Sequence, residues 1–128
     1  MRVLLDTHAL LWWLMADSRI SLRVRTVFED PLTEAYVSSV SGFEIANKVR
    51  LGKLDLGPHA PTDLPALLTG LGYHSLPLSL IHAHSAGRYL AMHRDPFDRM
   101  LAAQSQLERM PLVTADPAFA VFPVETLW

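Results

Sequence analysis

Four acidic residues follow or interrupt hydrophobic segments that are far apart in the chain. They are Asp6, Glu44, Asp98 and Asp116. In a parallel α/β domain the carboxyl ends of the strands and the amino ends of the helices share one edge, so distant residues can meet there. Carboxylates that are crowded together repel unless a cation or a shared proton neutralises them. The pattern therefore favours a Mg²⁺ or Mn²⁺ site suited to phosphodiester cleavage.

The first two acids also have local explanations. Asp6 can cap the helix that follows it, although Thr7 could cap instead and leave Asp6 for a metal. Ser41 and Glu44 have the spacing of a capping box, in which the Glu side chain returns to the backbone N–H of the cap residue. Glu44 and Lys48 also form a helical i,i+4 pair in the more favourable orientation. Neither acid alone distinguishes a metal site from a helix cap.

The later acids raise the same question. Asp95 precedes Pro96 and can cap a helix whose first turn contains Asp98. A cap needs only one carboxylate, and the pair is followed by Arg99, which could hold a phosphate or form an ion pair with Asp95. Asp116 precedes a proline, a pair that commonly starts a turn. The case for chemistry is that all these acids are predicted at one edge.

Histidine pairs and nucleophile motifs give weaker evidence for a catalytic site. His82 and His84 are two residues apart, so on a helix they point in different directions and cannot form a zinc pair. His8 and His93 flank acid positions and could touch a substrate, and we assign no histidine to a metal. The chain has no Gly-x-Ser-x-Gly elbow, no Walker loop and no dinucleotide-binding glycine pattern.

The hydrophobic pattern predicts alternating strands and helices. Predicted strands are 2–6, 34–38, 73–76, 111–114 and 124–127. Predicted helices are 9–16, 21–30, 41–51, 64–71, 79–92 and 95–109. Alternation of this kind is typical of an α/β fold with a mainly parallel sheet.

Composition narrows the class of protein. A chain of 128 residues, half of them apolar, is expected to form one globular domain over residues 1–128. The absence of cysteine excludes disulfides, thiolate zinc sites and cysteine nucleophiles. No apolar stretch is long enough for a spanning helix, so we expect a soluble, cytoplasmic protein without membrane contact. The net charge of −2 leaves RNA binding open, because a divalent ion would cancel two of the acidic charges.

Four segments together resemble the PIN-domain ribonucleases, and in particular the VapC-type toxins of bacterial toxin–antitoxin pairs. The matching segments are LLDTHALLW at 4–12, VSGFEIANK at 40–48 with GKL at 52–54, HRDPFDRMLAAQ at 93–104 and LVTAD at 112–116. Their order and spacing agree along essentially the whole chain, and no acid is missing.

The resemblance implies a compact three-layer α/β/α domain around a mainly parallel sheet. It places the four family carboxylates on Asp6, Glu44, Asp98 and Asp116, and leaves Asp95 as a ligand, a substrate contact or a cap. It further implies Mg²⁺ or Mn²⁺ as cofactor, a homodimer, and neutralisation by a cognate antitoxin. We expect Leu11, Trp12 and 14–15 of the first helix to offer this antitoxin an apolar surface, or else to pack in the core and a dimer contact.

The expected reaction is attack of a metal-bound water on an RNA phosphodiester. Asp6, Asp98 and Asp116 would hold the ion, and Glu44 would be a ligand or orient the water. Thr7, Asp95 and Arg99 are possible substrate or supporting residues. Two other functions stay open: an RNA-binding module of the same fold that does not cleave, and a dehalogenase-like phosphatase, although His8 occupies the place where that family needs a second Asp.

Overall fold

The computed structural model describes residues 1–128 and contains a five-stranded sheet in which every pair of neighbouring strands is parallel. The strands are β1 (Arg2–Leu5), β2 (Glu34–Ser38), β3 (His74–Leu76), β4 (Leu112–Val113) and β5 (Thr126–Leu127). Their order across the sheet is β3-β2-β1-β4-β5, so β1 is central. Leu5 pairs with Val37 on one side and with Val113 on the other, which brings the ends of β1, β2 and β4 together.

Six α-helices flank the sheet. They are α1 (Thr7–Leu14), α2 (Leu22–Glu29), α3 (Ser39–Arg50), α4 (Leu64–Gly70), α5 (Leu80–Arg88) and α6 (Pro96–Glu108), and a 3-10 helix follows β4 at Pro117–Val121. None of these helices combines the length and the apolar character that crossing a membrane requires. The arrangement confirms the predicted α/β/α class with a parallel central sheet.

The two faces of the sheet carry separate cores. Leu4 points to the face that packs against α6, where Leu101 and Ala102 are completely buried. Val3 and Leu5 point to the opposite face, which α1, α2 and α4 cover. A strand buried on both faces has no polar side to present, which explains why β1 reads as an uninterrupted apolar run.

Several predicted boundaries were wrong by a few residues. The predicted helix at 41–51 begins at Ser39 instead, because the Ser38 hydroxyl accepts the Val40 N–H and caps the helix. The predicted capping box of Ser41 and Glu44 is therefore not formed. The predicted helix at 79–92 ends at Arg88, since Tyr89 adopts φ −55° and ψ 130° and leaves the helical region.

Candidate active site

The buried centre of the site is Asp6, which follows β1 directly. Its Oδ1 accepts the His8 N–H at 2.9 Å, so Asp6 caps α1, and the alternative that Thr7 caps this helix was wrong. Its Oδ2 accepts a hydrogen bond from the Thr114 hydroxyl. Burial is the main reason that the pKa of Asp6 is raised above its usual value, and the negative charge of Glu44 raises it further. Asp6 is thus both a cap and a desolvated carboxylate beside a second acid.

Glu44 reaches the site from the first half of α3. It is only 6% exposed. Lys48 Nζ lies 2.9 Å from its Oε2, which confirms the predicted i,i+4 pair. Because the lysine side chain remains one-third exposed, it reaches Glu44 from the solvent side. The carboxylate therefore has one counterion within the chain and still acts electrostatically on Asp6.

Asp98 lies in the first turn of α6. Its Oδ2 is 2.7 Å from Nε2 of His93, while its Oδ1 has no hydrogen-bond partner within the protein. Burial raises the pKa of Asp98 most, and the charges of Asp95 and Asp6 raise it further, whereas the hydrogen bond from His93 lowers it. Asp6 therefore influences Asp98 and is influenced by Glu44, which makes the three acids one electrostatic group.

Asp116 and Asp95 are exposed helix caps. Asp116 Oδ1 accepts the Ala118 N–H at 2.9 Å at the start of the 3-10 helix, and its own N–H donates to the Thr114 hydroxyl. Asp95 Oδ1 accepts the N–H groups of Phe97 and Asp98 and caps α6. Asp95 thus caps the helix, which is one of its three predicted roles, and the roles of ligand and substrate contact stay predictions.

Two hydroxyl groups tie the site together and were not predicted as site residues. Thr114 joins Asp6 to the Asp116 backbone, and Ser41 accepts the Thr7 hydroxyl at 2.9 Å across the gap between α1 and α3. Thr114 was detectable in principle, because it comes one residue after the β4 position that pairs with Leu5, just as Asp6 follows Leu5. Ser41 carries no comparable signal, since its role depends on how α1 and α3 approach each other.

Arg99 does not have either of the roles predicted for it. Its guanidinium donates to the backbone carbonyls of Ala86, Ala91 and His93 at 2.8–3.0 Å, to that of Tyr89, and to that of Gly87 at a longer 3.5 Å. All five N–H groups are thereby used, so none is left for a phosphate, and no ion pair with Asp95 is formed. Sequence spacing could not reveal this, because the partners are carbonyls of an irregular segment.

Two other histidines, His8 and His82, have different surroundings. His8 is exposed and its Nδ1 lies 3.9 Å from Asp6, so it borders the site as predicted. His82 is buried: its Nδ1 accepts the Ser79 N–H and its Nε2 lies 2.8 Å from Glu108. His82 is therefore part of the α5 cap, at a position where sequence reasoning found no role.

The oxygen atoms of the site suit a hard divalent cation, but few of them could bind one ion directly. Carboxylate and hydroxyl oxygens are the ligands that Mg²⁺ prefers. Burial is the main reason that the pKa values of Asp6 and Asp98 are raised, and neighbouring acidic charges raise both further. No three acidic or histidine side chains are grouped closely enough to hold one ion directly. Because Mg²⁺ dehydrates reluctantly and usually keeps several waters, one or two direct carboxylates with water are compatible with this arrangement.

A partly apolar cavity lies away from the four acids. It has a volume of about 770 Å³ and lies between α3, the 52–63 loop, α4 and β3, and its lining is half apolar, including Phe43, Val49 and Leu68. None of the four acids lines this groove. The groove is therefore not formed by the four acids.

Solved structures with the same fold come from toxin–antitoxin systems. VapBC2 from Rickettsia felis, crystallised with a DNA fragment from its promoter, is 15% identical with a TM-score of 0.71 over 100% of this chain and 98% of that chain. A toxin–antitoxin complex from Klebsiella pneumoniae is 16% identical with a TM-score of 0.61 over 94% and 92% of the two chains. No curated protein sequence matches this chain. The profile of the PIN domain family matches residues 3–124, and the chain therefore belongs to the PIN-domain family.

Proposed function

We propose that this PIN domain is a Mg²⁺- or Mn²⁺-dependent endoribonuclease that acts as the toxin of a toxin–antitoxin pair. The observation that carries the proposal is the electrostatic grouping of Asp6, Glu44 and Asp98 at the carboxyl edge of the sheet. Burial raises the pKa values of Asp6 and Asp98 most, and the charges of Glu44 and Asp6 respectively raise them further. Keeping such carboxylates ionised is costly to the fold, and a divalent cation is a partner that offsets this cost.

The roles of the acids follow from their exposure and partners. Asp6 and Asp98 would hold the ion, and Asp98 has Oδ1 free for this purpose. Asp116 is exposed, so it would act at the solvent side of the ion through water. Glu44 would orient a water for attack, with Lys48 holding one of its oxygens in place. When bound, the metal would act as a Lewis acid that activates water and offsets the charge developing on the phosphoryl oxygens.

An antitoxin partner is a proposal that the structural neighbours support, since both are toxin–antitoxin complexes. A homodimer is a further proposal, which rests on the resemblance alone. On α1 the exposed apolar side chain is Met15, whereas Leu11 is buried, so the first helix offers less apolar surface than expected. The 770 Å³ groove between α3 and α4 offers more, and an antitoxin segment with an apolar face would fit it. This chemistry suits an amphipathic helix better than a charged peptide.

The test is RNA cleavage by the purified chain with Mg²⁺, Mn²⁺ or EDTA, alongside Asp98→Asn. Removal of one group that stabilises transition-state charge costs about 10²–10³-fold in rate, so we expect metal-dependent cleavage that falls by at least this factor in the variant. Arg88→Lys, an exposed change on α5, is the matched control. Expression of the wild-type chain alone should also arrest bacterial growth, and Asp98→Asn should not. Cleavage that persists in Asp98→Asn would exclude the assignment.

A second function is favoured by one observation. Since no three ligand side chains are grouped around one point, the chain could bind RNA without cleaving it. Binding of total cellular RNA with no cleavage in either metal, once any bound inhibitor has been removed, would favour this alternative.

A further inference from the structure

The segment between α5 and α6 has no regular structure to hold it. Residues 89–94 belong to no helix or strand, and none of their N–H groups donates a backbone–backbone hydrogen bond. The side chains of Leu90 and Met92 are 96% and 84% exposed, so they do not anchor it either. Tyr89 and Ala91 do pack against the core, but a segment without backbone hydrogen bonds of its own N–H groups needs other polar contacts to fix its path.

Backbone carbonyls of this segment surround the guanidinium of Arg99. Successive odd-numbered carbonyls, those of Tyr89, Ala91 and His93, point inward to the guanidinium, and the carbonyls of Ala86 and Gly87 join them from the end of α5. The carbonyls of Leu90 and Met92, the residues in between, do not contact the guanidinium. A lysine ammonium has three donors at one point and could not reach carbonyls spread over this arc.

The last carbonyl in this arc belongs to His93. Arg99 Nη1 donates to the His93 carbonyl at 2.8 Å, while the ring of the same residue places Nε2 2.7 Å from Asp98 Oδ2 and packs edge-on against Phe122. Because Asp98 and Arg99 are consecutive residues of α6, the helix fixes the carboxylate and the guanidinium relative to each other. Arg99 therefore holds the backbone of His93, and Asp98 contacts its ring.

We propose that Arg99 is a positioning residue that folds the Tyr89–His93 segment around its guanidinium and thereby holds His93 against Asp98. The hydrogen bond occupies Oδ2 of Asp98 and leaves Oδ1 without a hydrogen-bond partner. The inference deepens the proposed function, since it gives Asp98 the fixed orientation that an ion-holding carboxylate needs. Loss of a residue that orients a ligand typically weakens metal affinity by about 10–100-fold.

The first measurement follows the His93 ring in metal-free protein containing EDTA. In ¹⁵N-labelled wild type, long-range ¹H–¹⁵N spectra should show one tautomer of His93 with a protected Nε2–H, assigned by its loss in His93→Gln. Arg99→Lys should abolish this protected signal. Arg88→Lys, the same substitution at an exposed position at the end of α5, should keep it. A protected His93 signal in Arg99→Lys would overturn the proposal.

The second measurement is Mn²⁺ affinity, followed by electron paramagnetic resonance without RNA. Arg99→Lys and His93→Gln should each weaken binding by about 10–100-fold. The double variant should bind no more weakly than His93→Gln alone, because both changes break one connection. Independent, multiplying effects would mean that Arg99 does not act through His93.

Two outcomes distinguish a failure of the Arg99 proposal from a failure of the proposed function. If Arg99→Lys fails to fold, His93→Gln still decides, since it keeps the carbonyl that Arg99 binds, and unchanged Mn²⁺ affinity in that variant overturns the proposal. If wild type binds no Mn²⁺, the proposed function fails, while the His93 spectra continue to test whether Arg99 positions the ring.

Discussion

Two neighbouring residues at the start of α6 carry opposite charges and have opposite surroundings. Burial raises the pKa of Asp98 most, and the negative charges of Asp95 and Asp6 raise it further. Arg99 donates all five N–H groups to backbone carbonyls. The chain itself supplies the partners of Arg99, whereas the acids around Asp98 lack a sufficient counterion. We infer that the satisfied charge serves the fold and that the unsatisfied ones serve chemistry.

Removing the guanidinium should produce the largest loss of stability. Arg99→Met keeps much of the apolar stem but leaves five carbonyls without their donor, so we expect the free energy of unfolding to fall by about 3 kcal/mol, near the upper end for single substitutions. Urea denaturation, read from the midpoint at constant m-value, measures this. Arg88→Met should change stability little. If the two variants were equally stable, the structural role of Arg99 would be disproved.

Addition of a cation should stabilise the acid cluster by a slightly smaller amount. At about 100 times its dissociation constant, Mg²⁺ should raise the free energy of unfolding by about 2.7 kcal/mol. Asp98→Asn should lose most of this gain, because it removes a proposed ligand and one of the repelling charges. Thermal unfolding with Mg²⁺ or EDTA checks the prediction. Equal stabilisation of the variant would show that the ion binds somewhere else.

Thr114 tests whether the polar framework of the acid cluster also supports the fold. Thr114→Val keeps the shape but removes the hydroxyl that donates to Asp6 and accepts from Asp116, so we expect a loss of about 1–2 kcal/mol. Thr114→Ser keeps the hydroxyl and serves as the control in the same denaturation experiment. A valine variant as stable as the serine variant would show that this hydroxyl is dispensable to the fold.

The smallest expected effect is on pH dependence in EDTA. The folded-state pKa values of Asp6 and Asp98 are raised above the usual 3.8, so between 3.8 and those values the folded chain binds more protons than the unfolded chain. Their contribution to stability therefore increases as pH falls through this window. We expect this increase to be missing from the Asp6→Asn/Asp98→Asn variant when denaturation is measured from pH 7 to pH 4.

Asp17 provides the opposite sign for comparison. Its carboxylate is paired with Arg19 on the surface, which lowers its pKa to about 2. Stability from this pair is present above the usual pKa of 3.8 and is lost as pH falls toward 2. Asp17→Asn should therefore leave the slope between pH 7 and pH 4 almost unchanged. A slope that changed as much as in the double variant would argue against the acid cluster as its source.

Regular structure was largely predictable from the sequence, and irregular structure was not. Strand β1 and helix α6 have strong local signals, namely a continuous apolar run and an Asp-Pro start, and both were confirmed within a few residues. The start of α3 was wrong because Ser38, Ser39 and Ser41 offer competing caps, and only the position where β2 ends selects Ser38. Local patterns cannot decide between such alternatives.

The candidate acids could be identified from the sequence, but the contacts that surround them could not. Asp6 follows a strand and Asp98 lies in the first turn of a helix, and a parallel α/β fold brings these two kinds of position to one edge. The role of Arg99 depends on the path of residues 86–93, which carries no periodic pattern. His93 could be placed near the site by proximity to Asp98, whereas its bond to that carboxylate depends on the same path.

The parallel pairing of β1 with β4 has a consequence for protein synthesis. Asp6 is translated early, but its partner Thr114 lies 108 residues later in the chain. β4 is in turn held by Leu127, whose carbonyl accepts the Thr114 N–H. A nascent chain on the ribosome therefore lacks one wall of the acid cluster until residues 112–127 have been synthesised. If the chain is the endoribonuclease proposed above, this order would leave its active site incomplete while the chain is being synthesised on its own messenger RNA and ribosome.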